Sequence, residues 1–142
     1  MEYPLVTSSP EAIVIHCVDQ RFQDAFNKFV VGEMGISVYV PIAIAGGALA
    51  ISSDHISYFG YIWDQIDFFI SLGVKKLVLI NHDDCRWYQK EHPKLDNPHL
   101  VNKGRSDLEL AVVKAKEKYP DIEVTAVWAE KLNSAVKFHI IK

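Results

Sequence analysis

The chain has 142 residues, a net charge of −3, and a composition that is 49% hydrophobic and 23% charged. Because domains usually contain about 100 to 200 residues, this length predicts one domain, residues 1–142, with a substantial apolar core. The slightly acidic balance excludes the overall positive field by which proteins hold nucleic acids or anionic membranes. This charge balance favours a small, uncharged molecule as the binding partner.

No stretch of the chain has the pattern of a membrane span or a targeting peptide. The apolar run from Val38 to Ile51 has fourteen residues and is interrupted by a proline and two glycines, whereas a transmembrane helix needs about 20 residues. No lysine or arginine precedes Arg21, which is the wrong charge order for a secretory peptide. We therefore expect a cytoplasmic protein in which Cys17 and Cys85 are thiols or metal ligands rather than a disulfide.

Five segments rich in apolar and β-branched residues have the pattern of buried strands. They are Ala12–Asp19, Ile36–Ala45, Lys75–Asp84, Glu123–Glu130 and a short carboxyl-terminal segment, Lys137–Ile141. The second segment contains Pro41, which cannot donate to a strand ladder, so we expect this strand near an edge of the sheet.

Between the second and third strands, the segment Ser52–Gly73 has apolar residues at helical spacing, and Gly73 suits the end of a helix. A second stripe, which includes Tyr58, Tyr61 and Phe68, makes this helix apolar on more than one face. Because a monomer would leave that stripe in water, the pattern predicts a homodimer or a higher oligomer.

The next helix is expected to begin at Ser106, because Glu109 follows three residues later in a capping-box arrangement. The alternation of strands and helices predicts an α/β fold of three layers, α/β/α, around a mostly parallel sheet. The expected strand order is 2-1-3-4, followed by the short carboxyl-terminal strand.

Polar residues that could bind a metal follow two strands of this sheet. In such a fold, ligands bind beyond the carboxyl ends of the strands where the strand order reverses, which here lies between strands 1 and 3. Cys17 and Asp19 end strand 1, and His82 and Cys85 end strand 3. Two thiolates and one imidazole are ligands that zinc prefers, so the sequence predicts a zinc site at this edge.

Two other interpretations of these residues remain. The cysteines could be core thiols, with His82 capping a turn and Asp19 pairing with Arg21 only for structure. A magnesium site built from Asp19, Asp83 and Asp84 would leave both cysteines without a role. The joint placement of two cysteines, a histidine and an aspartate at one switch point favours the metal site.

Two motifs, CVDQR at Cys17–Arg21 and LGVKKLVLINHDDC at Leu72–Cys85, resemble those of the β-class carbonic anhydrases. The family pattern is Cys-x-Asp-x-Arg, followed later by Leu-Gly-Val before a strand that ends in His-x-x-Cys. The intervening IAIAGGALAI resembles the Ala-Gly-rich segment that follows strand 2 in that family. The similarity therefore covers most of the chain from Ile13 to Cys85.

The resemblance implies a zinc lyase that converts carbon dioxide and water reversibly into bicarbonate, with zinc-bound hydroxide as the nucleophile. It implies zinc held by Cys17, His82 and Cys85, and a catalytic pair, Asp19 and Arg21, that orders the fourth, water-bearing position. It also implies a dimer with the site near the subunit boundary.

Four positions depart from the family pattern. They are Gln20 in place of serine, Gly47 in place of asparagine, and Asn81 and Arg86 in place of glycine. Arg86 and Trp87 favour a non-catalytic zinc domain with a closed Cys₂HisAsp site, in which Asp19 is the fourth ligand. The intact pair of Asp19 and Arg21 favours the open, catalytic site. A related enzyme that acts on CS₂ or COS is a further alternative.

Overall fold

Strands and helices alternate along the chain, and a computed structural model describes residues 1–54 and 56–142, apart from the side chains of residues 56–59. The described strands are β1 Ala12–His16, β2 Tyr39–Ala43, β3 Lys76–His82, β4 Glu123–Lys131 and β5 Val136–Ile140. The described helices are α1 Gln23–Lys28, α2 Leu49–Ser52, α3 Ile56–Ser71, α4 Arg86–Glu91 and α5 Asn97–Lys118, with a π-helical turn at Phe29–Glu33. None of these helices combines the length and hydrophobicity that crossing a bilayer requires.

The five strands form one sheet in the order β2-β1-β3-β4-β5, which confirms the predicted strand order and fold class. The first four strands are parallel, and β5 runs antiparallel to β4. Pro41 lies in β2 opposite Val14 of β1. Because β2 is an edge strand, its other side has no neighbour in the sheet, and a missing donor is tolerated there.

Successive side chains of the central strands alternate between two apolar cores, one on each face of the sheet. Ile13 and Leu79 belong to the core that α2, α3 and α5 cover, with Ile66 and Leu108 among the helical residues. Val14 and Ile80 belong to the opposite core, which α1 and the π-helical turn cover through buried aromatic and aliphatic residues: Phe26, Phe29 and Val30. Helices on both faces of the sheet give the predicted three layers.

The predicted start of the last helix at Ser106 is wrong, because α5 begins nine residues earlier, at Asn97. The Asp96 side chain caps this helix by accepting a hydrogen bond from the backbone N–H of His99 at 3.1 Å. Pro98 occupies the first turn, where its missing N–H costs nothing. The true start was therefore marked by an aspartate cap and a proline rather than by the capping box.

Candidate metal centre

The loop after β1 carries the first half of the predicted site. Since β1 ends at His16, Cys17 and Asp19 lie in a turn rather than in the strand. Asp19 Oδ1 accepts a hydrogen bond from the backbone N–H of Arg21 at 3.0 Å, a local contact typical of aspartate in turns. The amide of Gln23 donates to the carbonyl oxygens of Cys17 and Asp19 at 3.0 and 2.7 Å. Gln23, which the sequence did not single out, thus holds this loop closed.

The loop after β3 carries the second half of the predicted site. The carboxylate of Asp83 accepts a hydrogen bond from the backbone N–H of Lys131 at 2.8 Å, which ties the loop to the end of β4. Asp84 follows with a φ of 55°, in the left-handed region that aspartate tolerates better than most residues. This turn places Cys85 at the start of α4, three positions after His82.

The two loops bring Cys17, His82 and Cys85 together. All three residues are buried, and their possible ligand atoms lie within 4.8 Å of one another. The two Sγ atoms are 3.9 Å apart. A disulfide requires a separation of about 2.05 Å, whereas two thiolates bound to one tetrahedral zinc ion are about 3.8 Å apart. The observed separation therefore fits a shared metal ion.

The imidazole of His82 is oriented as in metal-binding histidines. Nδ1 lies 2.6 Å from the carbonyl oxygen of Asp83 and donates to it, because a carbonyl oxygen can only accept. Nε2 is buried and has no hydrogen-bond partner among the described residues. The Phe22 ring packs on the imidazole with 4.1 Å between centroids. A neutral imidazole held in this way presents a free lone pair on Nε2, so the donor set fits a zinc ion.

The thiols of Cys17 and Cys85 are in hydrogen-bonding contact, in which either sulfur can be the donor. This contact is the main reason why the pKa of Cys17 is lowered from its ordinary value. The same contact, together with burial, raises the pKa of Cys85. The contact thus favours one thiolate in the pair, and a bound cation would favour the loss of the second proton.

Beside these ligand atoms lies an ionic network that consists of Asp19, Arg21, Asp84 and Lys131. Arg21 binds both carboxylate oxygens of Asp19, at 3.0 Å from Nε and 2.7 Å from Nη2. Its Nη1 donates to Asp84 Oδ2 at 2.8 Å, and Lys131 Nζ donates to the same oxygen at 3.2 Å. Hydrogen bonds from Arg21 hold the pKa of Asp19 below its usual range and are the main reason why the pKa of Asp84 falls to about 2.

The pairing of Asp19 with Arg21 was expected from the family resemblance, but the contact with Asp84 was not. Arg21 and Asp84 are 63 positions apart, so only the meeting of the two loops brings them together. The carboxylate of Asp19 is engaged by Arg21, and the compact group of ligand atoms formed by the described residues consists of Cys17, His82 and Cys85.

A buried polar network consists of three buried residues, Asn81, Tyr88 and Asp107, and of Lys103, whose side chain is 40% exposed. Tyr88 packs in the same cluster as Cys85. The Tyr88 hydroxyl donates to Asp107 Oδ2 at 2.8 Å, and Lys103 Nζ donates to Asp107 Oδ1 at 2.6 Å. Asn81 Nδ2 donates to the Tyr88 oxygen at 3.3 Å. Burial and the neighbouring charge of Asp107 raise the pKa of Tyr88, so that the phenol keeps its proton. The sequence indicated none of these contacts.

The two bulky residues after Cys85 differ in their placement. Arg86 is exposed, whereas Trp87 packs against the cluster that contains Cys17, Leu49 and Cys85. A narrow crevice of about 10 Å³ also opens beside His82 and Cys85. Its apolar wall is formed by three residues: Leu100, Val101 and Trp128.

No family model and no curated protein matches this chain. Among solved structures, it is similar to the β-carbonic anhydrase isoform I of Trichomonas vaginalis, with a TM-score of 0.61 and 15% identity over 98% of this chain and 88% of that chain. It is also similar to a carbonic anhydrase from Streptococcus mutans, with a TM-score of 0.59 and 15% identity over 97% and 86% of the two chains. For tetrameric β-carbonic anhydrases from Sordaria macrospora, the TM-score is 0.55, with 15% identity over 92% and 80%.

At these identities the likeness concerns the fold. The sheet order 2-1-3-4-5 and the helices on both faces match the β-carbonic anhydrase fold, as the sequence motifs predicted. The chemistry has to be argued from the residues of this chain.

Proposed function

We propose that this chain binds one zinc ion through Cys17, His82 and Cys85 and catalyses the reversible hydration of carbon dioxide to bicarbonate. The observation that carries this proposal is the convergence of the three ligand atoms within 4.8 Å, beside a carboxylate that Arg21 holds by two hydrogen bonds. The fold shared with β-carbonic anhydrases supports it. When bound, zinc supplies the Lewis acidity that activates water at neutral pH.

Asp19 and Arg21 have separate roles in this proposal. Asp19 is ionised, because Arg21 holds its pKa below the usual range, and it serves as an acceptor that orients the attacking water. Arg21 engages both carboxylate oxygens, which keeps Asp19 from turning toward the ligand atoms. A free carboxylate at this position would close the site.

The crevice beside His82 and Cys85 is the proposed place for the substrate. Its cavity volume is about 10 Å³, which is the space of about one water molecule, so it admits only a very small molecule. Its wall of Leu100, Val101 and Trp128 suits an apolar molecule such as CO₂. COS and CS₂ have the same linear shape, so assays with all three substrates distinguish these activities.

The second candidate is a non-catalytic zinc domain with a closed Cys₂HisAsp site. The packing of Trp87 against the cluster of Cys17, Leu49 and Cys85 favours it, because an indole there takes space next to the ligand atoms. In this alternative, Asp19 would leave Arg21 and become the fourth ligand.

We further propose that the chain forms a homo-oligomer through the exposed face of α3. Tyr61 is 73% exposed and Phe68 57%, and their spacing of seven residues places them on one side of the helix. Leu72, which is 64% exposed, follows directly after the end of α3. The side chain of Tyr58, the remaining aromatic residue of the predicted stripe, lies outside the described residues. Free thiols as metal ligands require a reducing compartment, and we propose the cytoplasm.

Metal analysis combined with a CO₂ hydration assay at pH 7 and pH 9 tests the proposed activity. We expect about one zinc ion per chain and measurable hydration. Cys85→Ser should lose both, since serine is a poor zinc ligand. His99→Ala, which removes an exposed histidine of α5, is the control that should keep both. A parent protein that holds zinc but hydrates no CO₂ at either pH would favour the closed site.

A further inference from the structure

Asn81 connects three segments of the backbone through one amide side chain. Its Oδ1 accepts a hydrogen bond from the backbone N–H of Ala48 at 2.9 Å, in the turn after β2. Its Nδ2 donates to the carbonyl oxygen of Gly104 in α5 at 3.0 Å and to the hydroxyl of Tyr88 in α4 at 3.3 Å. Asn81 is only 2% exposed, so water cannot replace these partners.

The first of these segments faces Cys17. Gly47 has a φ of 57°, and a Cβ atom at this position would lie 2.8 Å from Asn81 Oδ1 and 3.3 Å from the backbone nitrogen of Cys17. The turn at Gly47 thus lies directly against the backbone of Cys17. The bond from Asn81 to Ala48 therefore holds the turn that packs against the first sulfur ligand.

The second segment is α4, which begins directly after Cys85. Tyr88 of α4 is buried in the same cluster as Cys85. The Tyr88 hydroxyl accepts from Asn81 and donates to Asp107, so both of its polar contacts hold α4 against its neighbours. Asn81 is thus linked to the segments that place both cysteines, and it directly precedes the third ligand, His82.

We propose that Asn81 is a positioning residue of the metal centre, whose amide holds the turn beside Cys17 and the helix that begins after Cys85. This inference rests on the proposed binding of a metal by Cys17, His82 and Cys85. Contacts that orient metal ligands tune how strongly a site holds its metal, and loss of such outer contacts typically weakens binding about 10- to 100-fold. An apolar or smaller side chain at position 81 would leave buried donors and acceptors without partners.

Titration of the reduced, metal-free protein with Co²⁺ tests the role of Asn81, because thiolate-to-cobalt absorption reports both the affinity and the sulfur ligation. For Asn81→Ala we expect about 10- to 100-fold weaker binding and an altered absorption band. Tyr88→Phe removes one hydroxyl and should cause a smaller loss, because Asn81 keeps its bonds to Ala48 and Gly104. Val124→Ala, a buried change at the opposite end of the sheet, is the control for general destabilisation.

The control should unfold at a lower temperature than the parent and bind Co²⁺ as the parent does. The inference is overturned if Asn81→Ala keeps the affinity and spectrum of the parent, or if Val124→Ala weakens Co²⁺ binding equally. If Asn81→Ala does not fold, unchanged binding by Tyr88→Phe overturns it. If the parent protein binds Co²⁺ through two thiolates but its zinc form hydrates no CO₂, only the proposed activity is contradicted. The Co²⁺ affinities of the parent and Asn81→Ala then still decide the role of Asn81.

Discussion

The ionic network and the buried polar network lie beside the same three candidate ligand atoms, but they differ in their contact with water. The side chains of Arg21 and Asp84 are 28% and 37% exposed, whereas the side chain of Asp107 is 5% exposed. Each network has one exception, because Asp19 is 7% exposed and Lys103 is 40% exposed. Water can therefore replace a lost partner of Arg21 or Asp84 but not one of Asp107. The comparison indicates that the ionic network serves orientation and charge, while the buried network serves the construction of the site.

Substitution of Arg21 should have the largest effect, and the effect should be on activity. In Arg21→Ala, Asp19 loses its bidentate partner and becomes free to turn toward the ligand atoms and close the site. We expect the protein to fold, to keep its zinc, and to lose CO₂ hydration by at least about 100-fold. Stopped-flow hydration assays and metal analysis check this result.

Asp19→Asn separates the two roles of the pair. Because an amide binds zinc poorly, this variant should keep an open site with badly oriented water, and its loss of activity should be partial. If Arg21→Ala hydrates CO₂ as fast as the parent, the proposed role of Arg21 is contradicted, and the ionic network has no function in orientation.

Removal of Asp107 should have the largest effect on stability. In Asp107→Ala, the buried Tyr88 hydroxyl loses its acceptor and a cavity remains, so the free energy of unfolding should fall by about 2–4 kcal/mol. Asp107→Asn keeps an acceptor of the same shape and should cost about 1 kcal/mol or less. Urea unfolding of the reduced, metal-free variants measures both values. If Asp107→Ala and Asp107→Asn lowered the free energy of unfolding equally, the proposed structural role of the buried polar network would be contradicted.

The contribution of the ionic network to stability should decrease at acidic pH. The pKa of Asp84 lies at about 2, below its ordinary value of 3.8, so its ion pair stabilises the fold above about pH 4. That contribution is lost as the pH falls through about 2, because the folded state binds fewer protons than the unfolded state.

Asp84→Asn should therefore lose less stability than the parent between pH 4 and pH 2, by under about 1 kcal/mol because solvent screens this half-exposed group. Urea unfolding of the metal-free protein at the two pH values measures the difference. Parallel acid dependence of the parent and Asp84→Asn would show that this pair contributes nothing to stability.

Substitutions on α3 leave both networks untouched and should have the smallest effect on stability. Tyr61→Ser and Phe68→Ser change exposed side chains, so the stability of the monomer should change by less than about 0.5 kcal/mol. We expect the parent to be a homodimer or a higher oligomer by light scattering, and the double variant to dissociate. A parent mass near 16.1 kDa at micromolar concentration would contradict the proposed interface.

The sequence by itself determined the order of the strands and which two cysteines and histidine could meet as candidate ligands. Apolar runs on both faces marked β1 and β3 as buried parallel strands, and the carboxyl ends of adjacent parallel strands lie at one edge. Cys17, His82 and Cys85 follow directly from that rule, because each comes at or just after the end of a strand. The pairing of Asp19 with Arg21 was also predictable, since a contact over two residues is local.

Contacts between segments that are distant in the sequence were decided by the tertiary structure. The contact of Arg21 with Asp84 is one such case. The contact between Gly47 and Asn81 is a second case. Both residues differ from the sequence pattern of the β-class carbonic anhydrases, and the Asn81 amide lies where a Cβ atom at position 47 would have to be. The hydrophobic pattern of the sequence does not predict which side-chain amide packs between two loops. Such contacts depend on distances of a few ångströms that exist only after the sheet and both cores have formed.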